Sequence, residues 1–140
     1  MIMNQKDIIY WAGLFDGEGY MGIIKRKPTK PNPYGQYILQ ASITQRFMPE
    51  PPIEEFGGEV YPDKSSKTYK WMLNTTPLAL RFLHAIYPYL RVKKRQAEVA
   101  FEFGNLIQTS QRRTRLTQEE EAKRDELMAQ LKALKQGKLL

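Results

Sequence analysis

The chain has no cysteine, which excludes a disulfide framework and thiolate metal sites and fits a reducing compartment. Its one histidine, His84, falls inside a helical stretch and reads as structural. No run approaches the ~18 apolar residues that cross a membrane, and the N-terminus lacks the charged-then-apolar pattern of a secretory signal. A cytoplasmic protein that meets no membrane is therefore expected. There is no low-complexity segment and no internal repeat. Acids are also missing from one long stretch, since neither Asp nor Glu occurs between Gly19 and Pro49.

That stretch is basic instead, with Lys25, Arg26, Lys27, Lys30 and Arg46, and a second cluster follows at Arg91, Lys93, Lys94 and Arg95. With a net charge of +7, such one-signed segments are the electrostatic footprint of a polyanion partner. The 140 residues, 41% hydrophobic and 11% aromatic, suffice for one compact domain with a real core.

Residues 6–17 read as a helix, apolar almost all round at Ile8, Ile9, Trp11, Ala12, Leu14 and Phe15, as suits a helix buried between partners. Gly17 and Gly19 are expected to end it. Segments 20–27 and 36–46 read as strands joined by the proline-rich turn Pro28–Gly35. In the second, Tyr37, Leu39, Ala41 and Ile43 alternate with Gln36, Gln40, Ser42 and Thr44, and Ile38 interrupts the polar face. After Pro49, Pro51 and Pro52 only a short helix fits. A second hairpin, 59–62 with 68–74, turns Val60, Tyr69, Trp71 and Leu73 to the core. Thr76 is expected to cap a helix reaching about Tyr87, with Pro77 at its first position. Another helix spans 93–107 and a basic linker 108–115. Thr117 and Glu120 form a capping box for a last helix, which carries Leu127, Leu131 and Leu134 in one stripe and ends at Gly137.

The segment Trp11-Ala12-Gly13-Leu14-Phe15-Asp16-Gly17-Glu18-Gly19 carries the chemistry. Gly13 and Gly17, with Ala12 alongside, leave one helix face nearly bare. Such a face serves close approach to a second helix or tight packing on the chain's own core. Glu18 favours the first. A carboxylate at a helix C-terminus adds to the ~0.5 negative charge of the macrodipole, and a cation relieves the clash. Two such ends side by side call for a hard divalent ion, and oxygen-only ligation points to Mg²⁺ or another divalent cation. One copy in a small basic chain implies a functional unit of two chains.

This segment resembles the motif of the LAGLIDADG homing endonucleases of the single-motif, homodimeric kind. Ala12, Gly13, Leu14, Asp16 and Gly19 match it, Phe15, Glu18 and Gly17 are conservative replacements, and Trp11 stands where leucine is usual. The run Pro88–Ala97 resembles the family's stretch at the start of the helix after the second hairpin. The likeness implies an α+β fold of αββαββα order, in which a four-stranded antiparallel DNA-binding sheet carries helices on one face. A core domain over 1–107 is then extended by 108–140, the basic linker and C-terminal helix of the same domain.

The resemblance further implies a site-specific double-strand DNA endonuclease that hydrolyses phosphodiester bonds across the minor groove and leaves 3′ overhangs, with no small-molecule substrate. Its expected catalytic residues are Glu18, Lys93 against the scissile phosphate, and Gln45 ordering the water network. The metal is expected at Glu18 and Gly17, and the homodimer interface at Trp11, Ala12, Gly13, Asp16 and Gly17. The alternative is a non-cleaving nucleic-acid binder of the same fold, an intron maturase or transcription regulator.

Strand length suits the target, since nine residues span ~30 Å, close to a duplex turn of ~34 Å. The open face offers Tyr20, Gly22, Arg26, Gln36, Gln40, Ser42, Tyr61, Lys67 and Lys70 for base edges and phosphates, with Lys30 and Lys64 in the turns. Ile24, Ile38 and Met72 would supply apolar contacts. Two-fold symmetry predicts a long, nearly palindromic site.

Overall fold

The computed structural model describes residues 3–27, 30, 36–109 and 116–137. The expected turn Pro28–Gly35, Lys30 apart, and residues 110–115 of the expected linker lie outside the described residues. Chain order is α1 (Gln5–Glu18), β1 (Gly19–Arg26), β2 (Gln36–Gln45), α2 (Ile53–Phe56), β3 (Glu59–Asp63) and β4 (Thr68–Leu73). Then come α3 (Thr76–Ile86), a 3-10 turn (Tyr87–Tyr89), α4 (Lys94–Thr109) and α5 (Gln118–Lys135). The strands form one antiparallel sheet in the order β1-β2-β4-β3, and the αββαββα order, followed by α4 and the C-terminal α5, is as the sequence predicts.

Local chemistry sets the element ends. Asn4 opens α1 with a capping box, its side chain accepting the Asp7 N–H at 2.9 Å. Gly17 does not stop this helix, which continues to Glu18. Gly19 then turns extended (φ −82°), and no side chain fits there because a Cβ would run into the Phe15 ring. Three prolines hold α2 to one turn, and Gly57 and Gly58 leave it at φ 76° and 87°, a left-handed path that only glycine takes without strain. The N-cap of α3 is Thr75, not Thr76. Thr76 is buried, and its hydroxyl accepts the Leu39 N–H at 3.0 Å. Pairing of β2 with β4 begins only at Ala41, so Leu39 needs this acceptor.

The core lies between the sheet and α1, α3, α4 and α5. Its centre is an edge-to-face aromatic chain in which Trp11 meets Trp71 (5.4 Å), Trp71 meets Phe82 (5.1 Å) and Phe82 meets Phe15 (5.7 Å) and Phe56 (5.3 Å). Such pairs add ~0.5–1.5 kcal/mol each beyond the area they bury. Tyr69, expected in this core, keeps the face of Trp71 but is 46% exposed, because its strand has passed the covering helices.

Helix α5 opens with the Thr117–Glu120 capping box and buries Leu127 and Leu131. A polar clamp fixes it beside β1. Lys25 Nζ lies 2.9 Å from Glu121 and 3.7 Å from Asp125, and the Tyr37 hydroxyl donates to Asp125 at 2.6 Å. The Glu121 carboxylate, then the Tyr37 hydroxyl, hold the Lys25 ammonium above the ordinary lysine range. Burial, helped by the bond to Asp125, raises Tyr37. No described helix is long and apolar enough to cross a membrane.

Candidate nucleic-acid interface and catalytic centre

Strand alternation divides the sheet. Lys25, Tyr37, Ile43 and Trp71 face the helices. Opposite faces carry Tyr20, Gly22, Ile24 and Arg26 on β1, directly across from Ser42, Gln40, Ile38 and Gln36 on β2. Met72 and Lys70 on β4 continue the row, with Tyr61 of β3 opposite Lys70. Tyr20, Arg26, Gln36, Tyr61 and Lys70 are exposed on this face.

Three expected contacts are not presented to a ligand. Ile38 is 7% exposed, Ser42 5%, and Gly22 is buried. The reason is lateral crowding on a central strand: Ser42 sits between Tyr20 and Met72, and Ile38 lies against Ile24. Gly22 serves as a seat for Tyr20, since a Cβ there would strike the Tyr20 hydroxyl. Ile24, Gln40 and Met72 are half-buried.

Around the rim the cations stand clear. Lys30, Lys64 and Lys67 are exposed. The β3–β4 turn is shaped by Asp63, which accepts the Ser65 N–H at 3.0 Å and the Ser65 hydroxyl at 2.7 Å, and Lys67 takes the left-handed conformation (φ 56°). Hydrogen bonds from Ser65 and Ser66 keep the Asp63 carboxyl below its usual range, so the turn carries one fixed acid among its lysines.

Lys135 is a cation that sequence reasoning passed over. Its Nζ stands 4.2 Å over the Tyr20 ring, which brings the last turn of α5 to the open face. A signal was available: Lys135 follows Leu127 and Leu131 at steps of four, so its stem continues the apolar stripe and its head emerges where the stripe ends.

At the end of α1, the geometry gathers some expected residues and reassigns others. Gly13 and Gly17 are exposed, and a Cβ on either meets no atom within 4 Å. They share the outward face of α1 with Ile9 and Tyr10, which are 45% and 55% exposed. Trp11 and Ala12, expected at an interface between copies, are instead buried in the chain's own core at 5% and 0% exposure. Although α1 is apolar almost all round, the sheet and α3 take one face of it, and there the indole packs edge-on against Trp71.

Asp16 is also turned inward. Its carboxylate accepts three successive main-chain N–H groups ahead of α4: Arg91 at 2.7 Å, Val92 at 3.1 Å and Lys93 at 3.0 Å. Such a nest of amides matches a carboxylate in shape and charge. Lys93 returns the bond, its ammonium donating to the Asp16 carbonyl at 2.7 Å. That carbonyl is one of the last four of α1, which find no amide within the helix. Lys93 thus arrives at the negative end of α1, two residues from Glu18. Nothing in the sequence foretells a bond across 77 positions.

Glu18 itself is exposed and has no hydrogen bond or ion pair among the described residues. Gln45 is half-buried at the end of β2, two residues beyond the Gly19–Ile43 pair. No group of three or more His, Asp or Glu side chains that could hold a metal occurs among the described residues. With the Asp16 carboxylate bonded to amides, the described residues at this end of α1 offer the Glu18 carboxylate together with terminal carbonyls of the helix. These are hard oxygen donors that suit Mg²⁺ but complete its shell only with donors from elsewhere.

The fold is that of the LAGLIDADG homing endonucleases. Among solved structures it is similar to the homing endonuclease I-CvuI, in complex with the I-CreI target and Mg with the DNA not cleaved, at 13% identity over 93% of this chain and 82% of that one (TM-score 0.70). The archaeal intron-encoded I-Vdi141I, complexed with DNA, matches at 18% identity over 91% and 82% (TM-score 0.69). I-SmaMI, bound to cleaved DNA, matches at 20% identity over 92% of this chain but 45% of its own (TM-score 0.70). No protein-family model matches the sequence, and no curated protein matches it.

Proposed function

We propose that this protein is a site-specific double-strand DNA endonuclease that works as a homodimer with a divalent metal, Mg²⁺ being the natural choice. The observation that carries the reading is the end of α1. A bare, exposed glycine face there terminates in an exposed Glu18, with the Lys93 ammonium bonded two residues away.

The glycine face suits a second copy of the same helix, because Gly13 and Gly17 carry no side chain to hold two backbones apart at those positions. Pairing there brings a second Glu18 to the first and supplies part of the missing donor set, with Gly17 carbonyls and DNA phosphate oxygens as the remainder. The ion held there would offset the negative charge that builds up in phosphodiester hydrolysis. The chain's own residues do the rest. Glu18 holds the ion, Lys93 faces the developing phosphate charge with the two N–H donors it does not use on Asp16, and Gln45 orders the nucleophilic water.

DNA lies along the open face of the sheet. Gln36, Gln40 and Arg26 have the paired donors and acceptors that read adenine and guanine edges, while Lys30, Lys64, Lys67, Lys70 and Lys135 hold phosphates. The C-terminal helix belongs to the same domain, braced at its start and touching the DNA side at its end. The share of the I-SmaMI chain that this one spans, 45%, is what one half of a two-copy assembly would cover.

The test is cleavage of a plasmid library with Mg²⁺, compared with binding in Ca²⁺, for the parent and for Glu18→Gln. The expected result is cutting by the parent, and by Glu18→Gln binding of unchanged strength with no cutting. Tight binding without nicking under any divalent ion would overturn the nuclease in favour of a non-cleaving nucleic-acid binder.

A further inference from the structure

Asp16, which was expected to meet a second chain, instead makes four bonds to residues 75 to 77 positions away. Its carboxylate holds the main chain at Arg91, Val92 and Lys93, and its carbonyl holds the Lys93 ammonium. Lys93 is therefore gripped at both ends, by its amide and by its Nζ, by one residue of α1. A lysine side chain has four rotatable bonds and loses much rotamer freedom when fixed. Anchoring its backbone at the same residue that receives its head is a means of making that loss before a substrate arrives.

We propose that Asp16 is a positioning residue: it ties segment 91–93 to the end of α1 so that Lys93 and Glu18 bear on the same phosphate. This rests on the nuclease reading above for its consequence, and on the bonds alone for its geometry. Asp16 lies two residues before Glu18, so a rigid helical turn links the carboxylate that holds the metal to the ammonium that meets the phosphate. A carboxylate suits the task better than an amide. Both of its oxygens accept, whereas an Asn would turn an NH₂ toward one of the three N–H groups.

The experiment measures single-turnover cleavage, and DNA affinity in Ca²⁺, for the parent, Asp16→Asn, Lys93→Met and the double variant. In parallel, the rate of reductive methylation of Lys93 by formaldehyde and cyanoborohydride is followed by mass spectrometry, with exposed Lys67 as reference. Asp16→Asn is expected to slow cleavage by ~10- to 100-fold, the range for losing a partner that orients a functional group, while affinity in Ca²⁺ changes little. In the Lys93→Met background it should add nothing, because Asp16 acts through Lys93. Lys93 methylation should rise toward the rate of Lys67.

Equal losses in both backgrounds would overturn the proposal in favour of a purely structural carboxylate. An unchanged methylation rate would overturn the placement itself. A parent that cuts no DNA while Lys93 labelling rises in Asp16→Asn would instead overturn the nuclease reading and leave the lock standing. Should Asp16→Asn fail to fold, Asp16→Ser keeps a short acceptor for one N–H and carries the same comparison.

Discussion

Lys135 and Tyr20 meet across 4.2 Å as cation and ring, joining the last turn of α5 to the first strand. This makes Lys135 part of the face that DNA would occupy. Replacing it with Ala is expected to weaken DNA binding evenly across sequences and to lower the salt slope of log K by ~1 per protomer, ~2 for a dimer. Titrations at several salt concentrations check this. An unchanged slope would confine α5 to bracing.

Gly13 gives a prediction whose sign depends on what covers it. A Cβ there meets open space in one chain, so Gly13→Ala should strengthen the isolated helix by ~1 kcal/mol. In a pair of helices crossing at that face, two added methyls push the backbones apart, and each ~1.4 kcal/mol lost is tenfold in dimer Kd. The expected outcome is a folded chain whose dimer dissociates at lower dilution, measured by sedimentation across concentrations. A dimer of unchanged affinity would move the symmetry axis off α1.

Thr76 tests a buried bond. Thr76→Val keeps the shape and strands the Leu39 N–H, which should lower stability by ~1–3 kcal/mol, whereas Thr76→Ser restores the acceptor and most of the loss. Urea unfolding of the two variants distinguishes them.

The clamp on α5 predicts alkaline sensitivity. Lys25 and Tyr37 both titrate higher in the folded chain than their ordinary values of 10.5 and 10.0. A raised folded value stabilises fully below the ordinary one and loses that contribution as pH rises through it. Stability from these groups should therefore hold at neutral pH and fall above about pH 10. Thermal melts of the parent and Tyr37→Phe should diverge there, the variant losing less.

Most of the fold was legible in the sequence because its signals are local. Prolines 49, 51 and 52 bar a helix from starting before them and Gly57-Gly58 ends it soon after, wherever the chain folds, and the alternation from Tyr37 to Ile43 names its own buried face. The misreadings share a different cause. Thr76 reads as a cap beside Pro77, yet its hydroxyl serves a strand that outruns its neighbour, and Thr75 caps in its place. Trp11 reads as interface because the helix is apolar all round, and only the sheet decides which side it fills. Ile38 and Ser42 read as open because alternation gives the face but not the height of the neighbours. In the candidate site, Glu18 and Lys93 were legible as residues, but the bond that unites their elements was not. Asp16 pairs with groups 75 to 77 positions away, beyond any pattern of spacing.

The placement of α5 has one more consequence. It touches Lys25 on the helix side of β1 and Tyr20 on the other, so it runs along the outer edge of that strand. The opposite edge is β3, five residues long and interrupted by Pro62, which has no N–H to offer. Among the described residues, both margins of the sheet are therefore poor templates for another strand. Growth of this sheet into a ribbon of edge-paired copies is thus disfavoured at both margins.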